Sequence, residues 1–316
     1  MITISLRSPL SQDMLEAAAK PQVMAIGQFD GIHLGHASVI RTAIELAQEQ
    51  GLQSSVMTFH PHPKEVMGRG EYEGYLTPLA MKERILADMG VDVLYLVEFS
   101  DAFSHMTPAE FVEMFLLQLQ VRTAVVGFDF RFGHLGEGDE ARLRELGSGR
   151  MHVITVPPLE MDGEKVSSSR IRASLLRGEL EQANRWFGRP YTLRGTVVDG
   201  EKRGRTIGFP TANITLEDRF VVPAKGVYAV KVQAGDRKLL GVMNAGVKPT
   251  FHDGEMKPSF EVHLFDFSEQ IYGEMLTVEL IRFIRSERKF GSVDELIVQI
   301  REDAKEAKTL LTSGRG

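Results

Sequence analysis

The sequence predicts an α/β domain with a mostly parallel sheet at residues 1–186. It predicts a β domain, an antiparallel barrel or sandwich with a terminal helix, at 187–316. Three observations carry this expectation. The chain has 316 residues, enough for roughly two domains of ordinary size. Short β-rich runs alternate with helical patterns from residue 23 to 156, as in a parallel sheet covered on both faces. Beyond residue 187 the runs have period two and are punctuated by glycine and proline, with little helix between them.

In the first domain the β-rich runs are 23–26, 54–59, 91–99, 123–126 and 152–156. A helix is expected over 36–50, where Ile40, Ala43, Ile44 and Ala47 recur at helical spacing and Gly51 supplies the C-cap. A second begins at Thr77-Pro78, an N-cap followed by proline at the first helical position. A third begins at Thr107-Pro108-Ala109-Glu110, which also reads as a capping box. Residues 171–186 read as helix bridging the halves. In the second domain strands are expected at 193–198, 226–233, 238–243, 258–267 and 276–283, with Leu193, Gly195 and Val197 alternating with Thr192, Arg194 and Thr196. The last helix starts at Ser292, with Glu295 completing a capping box, and carries Leu296, Ile300, Ala304 and Ala307 on one stripe. The tail 312–316 reads as frayed.

Composition narrows the function classes. Hydrophobic residues make up 43% and charged residues 25%, which excludes a disordered or collagen-like chain. There is no cysteine, hence no disulfide framework, thiolate zinc site or cysteine nucleophile, and a reducing cytoplasm is the expected setting. Thirty-seven basic against 43 acidic residues give a net charge of −6, which argues against a nucleic-acid or membrane-surface field over the whole protein. Apolar runs such as 93–97 are too short to span a bilayer, and the first residues lack the apolar core of a signal peptide.

Two sets of residues point to phosphate chemistry. Gly27-Gln28-Phe29-Asp30-Gly31-Ile32-His33-Leu34-Gly35-His36 lies between the first run and the first helix, where ligands bind in open α/β sheets. The helix start favours phosphate, and two histidines three apart both reach one phosphate group. Val166-Ser167-Ser168-Ser169-Arg170-Ile171-Arg172 sets three hydroxyls before a helix whose first turn holds two arginines. By themselves these residues also fit capping histidines and a serine N-cap with solvated arginines. The second set is Gly204-Arg205-Thr206-Ile207-Gly208-Phe209-Pro210-Thr211-Ala212-Asn213, after Lys202 and Arg203. It is glycine-rich and cationic but no Walker A loop. Thr211 and Asn213 are two apart, so in an extended segment their oxygens face one side and suit Mg²⁺ completed by ATP phosphates and water.

The first set resembles the nucleotidyltransferase superfamily, with its HxGH and ISSTxIR-type motifs. Gly127-Phe128-Asp129-Phe130-Arg131-Phe132-Gly133 and Phe59-His60-Pro61-His62-Pro63 narrow the resemblance to the adenylyltransferase module of bacterial bifunctional riboflavin kinase/FAD synthetases. That resemblance implies a Rossmann-like fold and transfer of AMP from ATP to FMN. It implies His33 and His36 as catalytic residues. Gly27, Phe29, Asp30, Gly31, Gly35, Ser168, Ser169 and Arg172 would bind nucleotide, and His62, Asp129, Phe130 and Phe132 the flavin. The phenylalanines at 128, 130 and 132 also alternate as a buried strand end would. His60 and His62 invite a zinc reading. An H-x-H pair needs a further strong ligand, so a proline-fixed loop lining the pocket is favoured.

The second set resembles the riboflavin kinase module, whose signature is G-x-x-x-G-x-P-T-A-N. The similarity continues through residues 241–251, 261–267, Tyr272-Gly273 and 283–290. It implies a kinase barrel in which Gly204, Gly208 and Thr211 hold phosphate, Thr211 and Asn213 hold Mg²⁺, and Glu261 is the catalytic base. Arg285, Arg288 and Lys289 read as structural. Gln28 stands where many superfamily members place a hydroxyl, Ser169 replaces threonine, Lys248 replaces arginine, and Ala245 replaces a bulkier aliphatic residue. The expectation is a cytoplasmic enzyme, monomeric or weakly self-associating, that makes FMN from riboflavin and FAD from FMN with ATP and Mg²⁺. No nucleic-acid or membrane partner is expected. The alternative is an adenylyltransferase with a regulatory flavin-sensing barrel.

Overall fold

The computed structural model describes residues 1–68, 73–200, 204, 208–249 and 256–313. Lys202, Arg203, Arg205, Thr206, Ile207, Thr250 and Phe251 therefore lie outside the described residues. The chain divides into two compact units, Met1–Tyr72 with Thr77–Ser167, and Glu73–Leu76 with Ser168–Gly316.

The first unit is built on six parallel strands: β1 (Ile2–Leu6), β2 (Gln22–Ile26), β3 (Gln53–His60), β4 (Val93–Glu98), β5 (Val121–Gly127) and β6 (His152–Val156). Their order across the sheet is β1-β4-β3-β2-β5-β6. All of β2 is buried, and its residues alternate between two cores as the pleat requires. Val23 and Ala25 pack with Ile40, Ala43 and Ile44 of α2 (Leu34–Gln50) and Leu86 of α4 (Leu79–Asp88). Met24 and Ile26 pack in the other core with Phe111, Phe115 and Leu143. The chain returns from β2 to opposite sides, β3 on one and β5 on the other. The crevice beyond the carboxyl ends of β2 and β5 is thus a topological switch point, and the motifs at 27–36 and 127–133 both open onto it.

Most helix signals hold. Gly51 closes α2 with left-handed backbone, and Thr107 and Glu110 form the expected capping box. That helix, α6 (Pro108–Phe111), runs on into a π-turn at Val112–Leu117. At α4 the cap moves one residue: Pro78 is the N-cap, and the buried Thr77 instead donates its backbone N–H to Asp30 Oδ1 at 3.1 Å. The stretch 128–132 is not a strand end. β5 stops at Gly127, Phe130 N–H turns back to Gly127 O, Phe128 is 43% exposed and Phe132 is 6% exposed.

In the second unit, six strands close an antiparallel barrel, which resolves the choice between barrel and sandwich. They are β9 (Tyr191–Val198), β10 (Ala212–Leu216), β11 (Gly226–Ala234), β12 (Arg237–Pro249), β13 (Met256–Leu264) and β14 (Met275–Ser286), ordered β10-β13-β12-β11-β14-β9; the labels β7 (Glu160–Met161) and β8 (Glu164–Lys165) belong to a small hairpin of the first unit. Along β9, Tyr191, Leu193, Gly195 and Val197 face inward, as their alternation predicted. Two helices, α8 (Ser168–Arg177) and α9 (Leu180–Phe187), belong to this unit, as does the terminal helix Val293–Ser313. Ser292 Oγ caps the terminal helix at Glu295 N, while Glu295 Oε2 reaches Gly291 N rather than Ser292, so the box is displaced by one residue. Strands β1 and β10 had no counterpart in the sequence expectation.

Candidate active sites

In the first unit the turn after β2 is tightly bent. Phe29, Gly31 and Ile32 all have positive φ (46°, 95° and 36°), a shape that favours glycine at Gly31 and is strained at the other two. The turn delivers His33 to the N-cap of α2, where its Nδ1 accepts from His36 N–H at 3.2 Å. An accepting Nδ1 carries no hydrogen, so the neutral ring keeps its proton on Nε2 and presents a donor there. The rings of His33 and His36 stack at 3.7 Å, and Phe29 meets His36 edge-on at 5.4 Å. The sequence pair is thus one constellation.

His36, Gly27, Gln28 and Phe29 line a cavity of about 470 Å³, together with Asp129, Phe130 and Phe132 from beyond β5. Asp129 pairs with Lys165 Nζ at 2.7 Å, which offsets its charge. Phe130 and Phe132 stack at 5.4 Å. The far wall is apolar: Phe59, from the 59–63 motif, forms a ring cluster with Phe103 and Phe111, which the sequence reading missed. No local pattern marks it, because the strand order gathers it. His62 caps the short helix α3 (Pro63–Val66) by accepting from Lys64 N, and the wall at that loop is Pro63 and Met67. Among the described residues no group of three or more His, Asp or Glu is placed to hold a metal ion.

Ser168, Ser169 and Arg172 fall in the second unit, in the first turn and a half of α8. Arg172 Nη1 donates to Gly74 O at 2.7 Å, within the segment Glu73–Leu76 that pairs with the same unit.

In the barrel, strand register builds the site. Glu261 on β13 lies directly opposite Asn213 on β10 and opposite Asn244 on β12. Cross-strand partners share a face, so the three side chains form one polar row. Lys248 Nζ is 2.6 Å from Glu261 Oε1 and 3.3 Å from Asn213 Oδ1. A Cβ on Gly200 would lie 2.1 Å from Asn213 Nδ2, so the chain passes against the carboxamide and a side chain there would push it aside. Gly200 and Asn244 were not singled out from sequence; Gly200 carries no local signal.

Two cavities flank this row. One, about 680 Å³, is lined by Gly204, Thr211, Asn244, Glu261, Glu287 and Phe290 among others. The other, about 290 Å³, is lined by Thr211, Phe267 and Tyr272 among others. Thr211 lines both. Gly208 lines neither cavity and is exposed. Arg285 grips Asp303 of the terminal helix, with Nε at 2.9 Å and Nη2 at 2.7 Å, and Arg288 stacks over Phe290; both also line the larger cavity.

The chain resembles known proteins over its length. Residues 15–170 match the family model for FAD synthetase and residues 187–311 that for riboflavin kinase. The bifunctional riboflavin kinase/FMN adenylyltransferase of Bacillus subtilis is 43% identical over 309 residues, covering 97% of this chain and 97% of its own. That of Listeria monocytogenes is 42% identical, covering 98% of each. A crystal structure described as a macrolide-efflux protein from Streptococcus pneumoniae superposes with a TM-score of 0.87 at 36% identity, over 98% of this chain and 99% of that one. Among the described residues no helix is long and apolar enough to cross a membrane, and the efflux description stays with that protein.

Proposed function

The chain belongs to the family of bifunctional riboflavin kinases/FMN adenylyltransferases, and from that premise we infer how its residues divide two reactions between two sites. Its activities are phosphorylation of riboflavin by ATP to give FMN, and transfer of AMP from ATP to FMN to give FAD and pyrophosphate. We assign the second to residues 1–186 and the first to residues 187–316. One observation carries the assignment: two separate cavities, one on each compact unit, each have their own phosphate-directed side chains, His36 in one and Thr211 with Glu261 in the other. The match of residues 187–311 to riboflavin kinase stands against a barrel that only senses flavin.

In adenylyl transfer a phosphate oxygen of FMN attacks the α-phosphorus of ATP and pyrophosphate leaves, with no covalent enzyme intermediate. His33, through Nε2–H, and His36 donate to the phosphate oxygens as charge builds there. The N–H groups of Gly31 and Gly35 and the start of α2 add to that field, with Gly27, Phe29 and Asp30 shaping the turn. The family resemblance also assigns nucleotide contacts to Ser168, Ser169 and Arg172, which belong to the second compact unit. The ring cluster, with Phe130, Phe132, Asp129 and the loop at His62, takes the isoalloxazine.

In the kinase reaction Glu261 takes the proton of the terminal ribityl hydroxyl as that oxygen attacks the γ-phosphorus, and ADP leaves. Thr211 and Asn213 fit a magnesium ion. Their oxygens are neutral, and the ammonium of Lys248 already lies against Asn213 Oδ1 and Glu261 Oε1, a point that accepts positive charge. Magnesium bound there with ATP would neutralise the phosphate oxygens. Gly204, which lines the larger cavity, lets the backbone approach the phosphates there.

A cytoplasmic enzyme, monomeric or weakly self-associating and without nucleic-acid partners, accords with the absence of cysteine and a net charge of −6. Size-exclusion chromatography at micromolar concentration tests its oligomeric state.

Incubation of the pure protein with riboflavin and Mg-ATP, followed by chromatography, should yield FMN and then FAD. His36→Ala should abolish FAD formation and leave FMN formation largely intact. Asn213→Ala should abolish FMN formation and still convert supplied FMN to FAD. Loss of both activities in one folded variant contradicts independent sites.

A further inference from the structure

Beneath the turn between β2 and α2 lies a buried cation that none of these roles uses. Lys82, the fourth residue of α4, is only 4% exposed. Its ammonium donates to Gln28 O at 2.8 Å and to Thr58 Oγ1 at 3.1 Å, and the Thr58 hydroxyl donates to the same carbonyl at 2.8 Å. The carboxylate facing it is Asp30, 3% exposed, which also accepts from Thr77 N just ahead of α4. Gln28 Nε2 donates to Phe59 O at 3.1 Å, while its buried Oε1 accepts no hydrogen bond among the described residues. Gln28, where the superfamily often has a hydroxyl, is thus turned into the frame.

Placing an ammonium here has no packing rationale. An apolar side chain of that length would fill the space without the cost of desolvating a charge. What the ammonium touches is the start of the strained turn. Phe29 and Ile32 hold left-handed backbone with side chains that disfavour it, and such backbone persists only where its surroundings hold it. Lys82, from α4, and the Thr77 N–H, from the segment before it, grip that turn at Gln28 O and Asp30 Oδ1, the two ends of residues 28–30. Gln28 and Phe29 line the cavity, and Lys82 does not, so any effect of Lys82 on the reaction passes through the turn.

We propose that Lys82 is a positioning residue for adenylyl transfer. By fixing Gln28 O and facing Asp30, it holds the turn, and the His33–His36 pair that follows it, in the shape the phosphates need before nucleotide arrives. The inference rests on reading this cavity as the adenylyl-transfer site. Preformed donors stabilise developing charge without reorganising during the reaction, and a small misplacement of such groups is expensive in rate.

The test is Lys82→Met in the full chain. The kcat for FAD formation from FMN should fall about 100-fold, while KM for ATP should change less than about threefold. FMN formation from riboflavin should stay at the wild-type rate. In hydrogen exchange the amides of residues 28–32 should lose protection while those of β2 and β5 keep theirs. Wild-type kcat, a change in KM alone, or protection lost throughout the sheet would each overturn the proposal. Should that variant not fold, Thr58→Val removes only the hydroxyl between Lys82 and Gln28. It should lower kcat several-fold with KM unchanged, and wild-type kcat would again overturn the proposal. A wild-type protein that makes no FAD refutes the reading of the cavity itself. An active wild type with an equally active Lys82→Met refutes the role of Lys82 alone.

Discussion

Lys82 keeps its charge in a site where one carboxylate, that of Asp30, faces it. Burial pushes the ammonium down to about 8, with Asp30 pulling it back upward. The unfolded chain titrates this group near 10.5. Between those values the unfolded state binds more protons than the folded state, so the folded state gains stability as pH rises. Below pH 8 the gain is absent and burial of the charge is felt in full. The stability of Lys82→Met relative to wild type should therefore be more favourable at pH 7 than at pH 10.5, by about 3 kcal/mol. Urea melts at the two pH values, followed by circular dichroism, measure that difference; a gap independent of pH would mean the ammonium is not depressed. Residues differ in how far their sequence announces them. His33 and His36 were legible because glycines and a helix start frame them within ten positions. In the run Met81-Lys82-Glu83-Arg84 nothing local distinguishes Lys82 from a solvated helix charge. Its partners Gln28 and Thr58 lie 54 and 24 positions away, and only the strand order brings them close.

At the scale of elements, the barrel site depends on how β9, β10 and β13 meet. Asn213 and Glu261 are 48 positions apart in the chain, yet register puts them opposite one another. The reading of Thr211 and Asn213 as one extended segment places Asn213 in β10, which begins at Ala212, with Thr211 just ahead of the strand. What it lacked was the neighbour: the chain after β9 runs past Asn213 with no room for a side chain at Gly200. Gly200→Ala must displace either that backbone or the carboxamide, an overpacking expected to cost about 1–3 kcal/mol. FMN formation should fall at least about tenfold, as expected when a group of the site is misplaced, and FAD formation from supplied FMN should be unchanged. An alanine variant with normal kinase activity would show that the position of Asn213 is not critical. Helix and strand types were read well where the period was long, as in α2 and β9. They failed at β1, a five-residue strand, and at β10, whose Ala-Asn-Ile-Thr-Leu reads as the tail of a glycine loop.

The whole molecule divides less simply than composition suggested. The grammar changes at about residue 187, yet the second compact unit begins at Ser168 and also takes in Glu73–Leu76. The reason is packing. In α9, Leu180, Ala183, Trp186 and Phe187 are buried, and Asn184 is bonded at both ends of its carboxamide, donating to Leu280 O at 2.9 Å and accepting from Tyr191 N at 2.7 Å. From α8, Leu175 O accepts from Ala224 N. Helical periodicity marked these residues as helix, but a period does not say which neighbour the buried face meets. A fragment of residues 168–316, which lacks only Glu73–Leu76 of that unit, should therefore fold and phosphorylate riboflavin. One of residues 187–316 carries the whole riboflavin kinase match but lacks Leu180 and Trp186, whose burial is worth about 1.5–3 kcal/mol each. For a domain of this size such a loss lowers Tm by roughly 10 °C or more. Thermal melts of the two fragments, with FMN formation assayed beside them, decide the matter. Equal melting temperatures would mean that α8 and α9 add nothing to the barrel, and that the change of grammar at residue 187 marks the physical boundary as well as the chemical one.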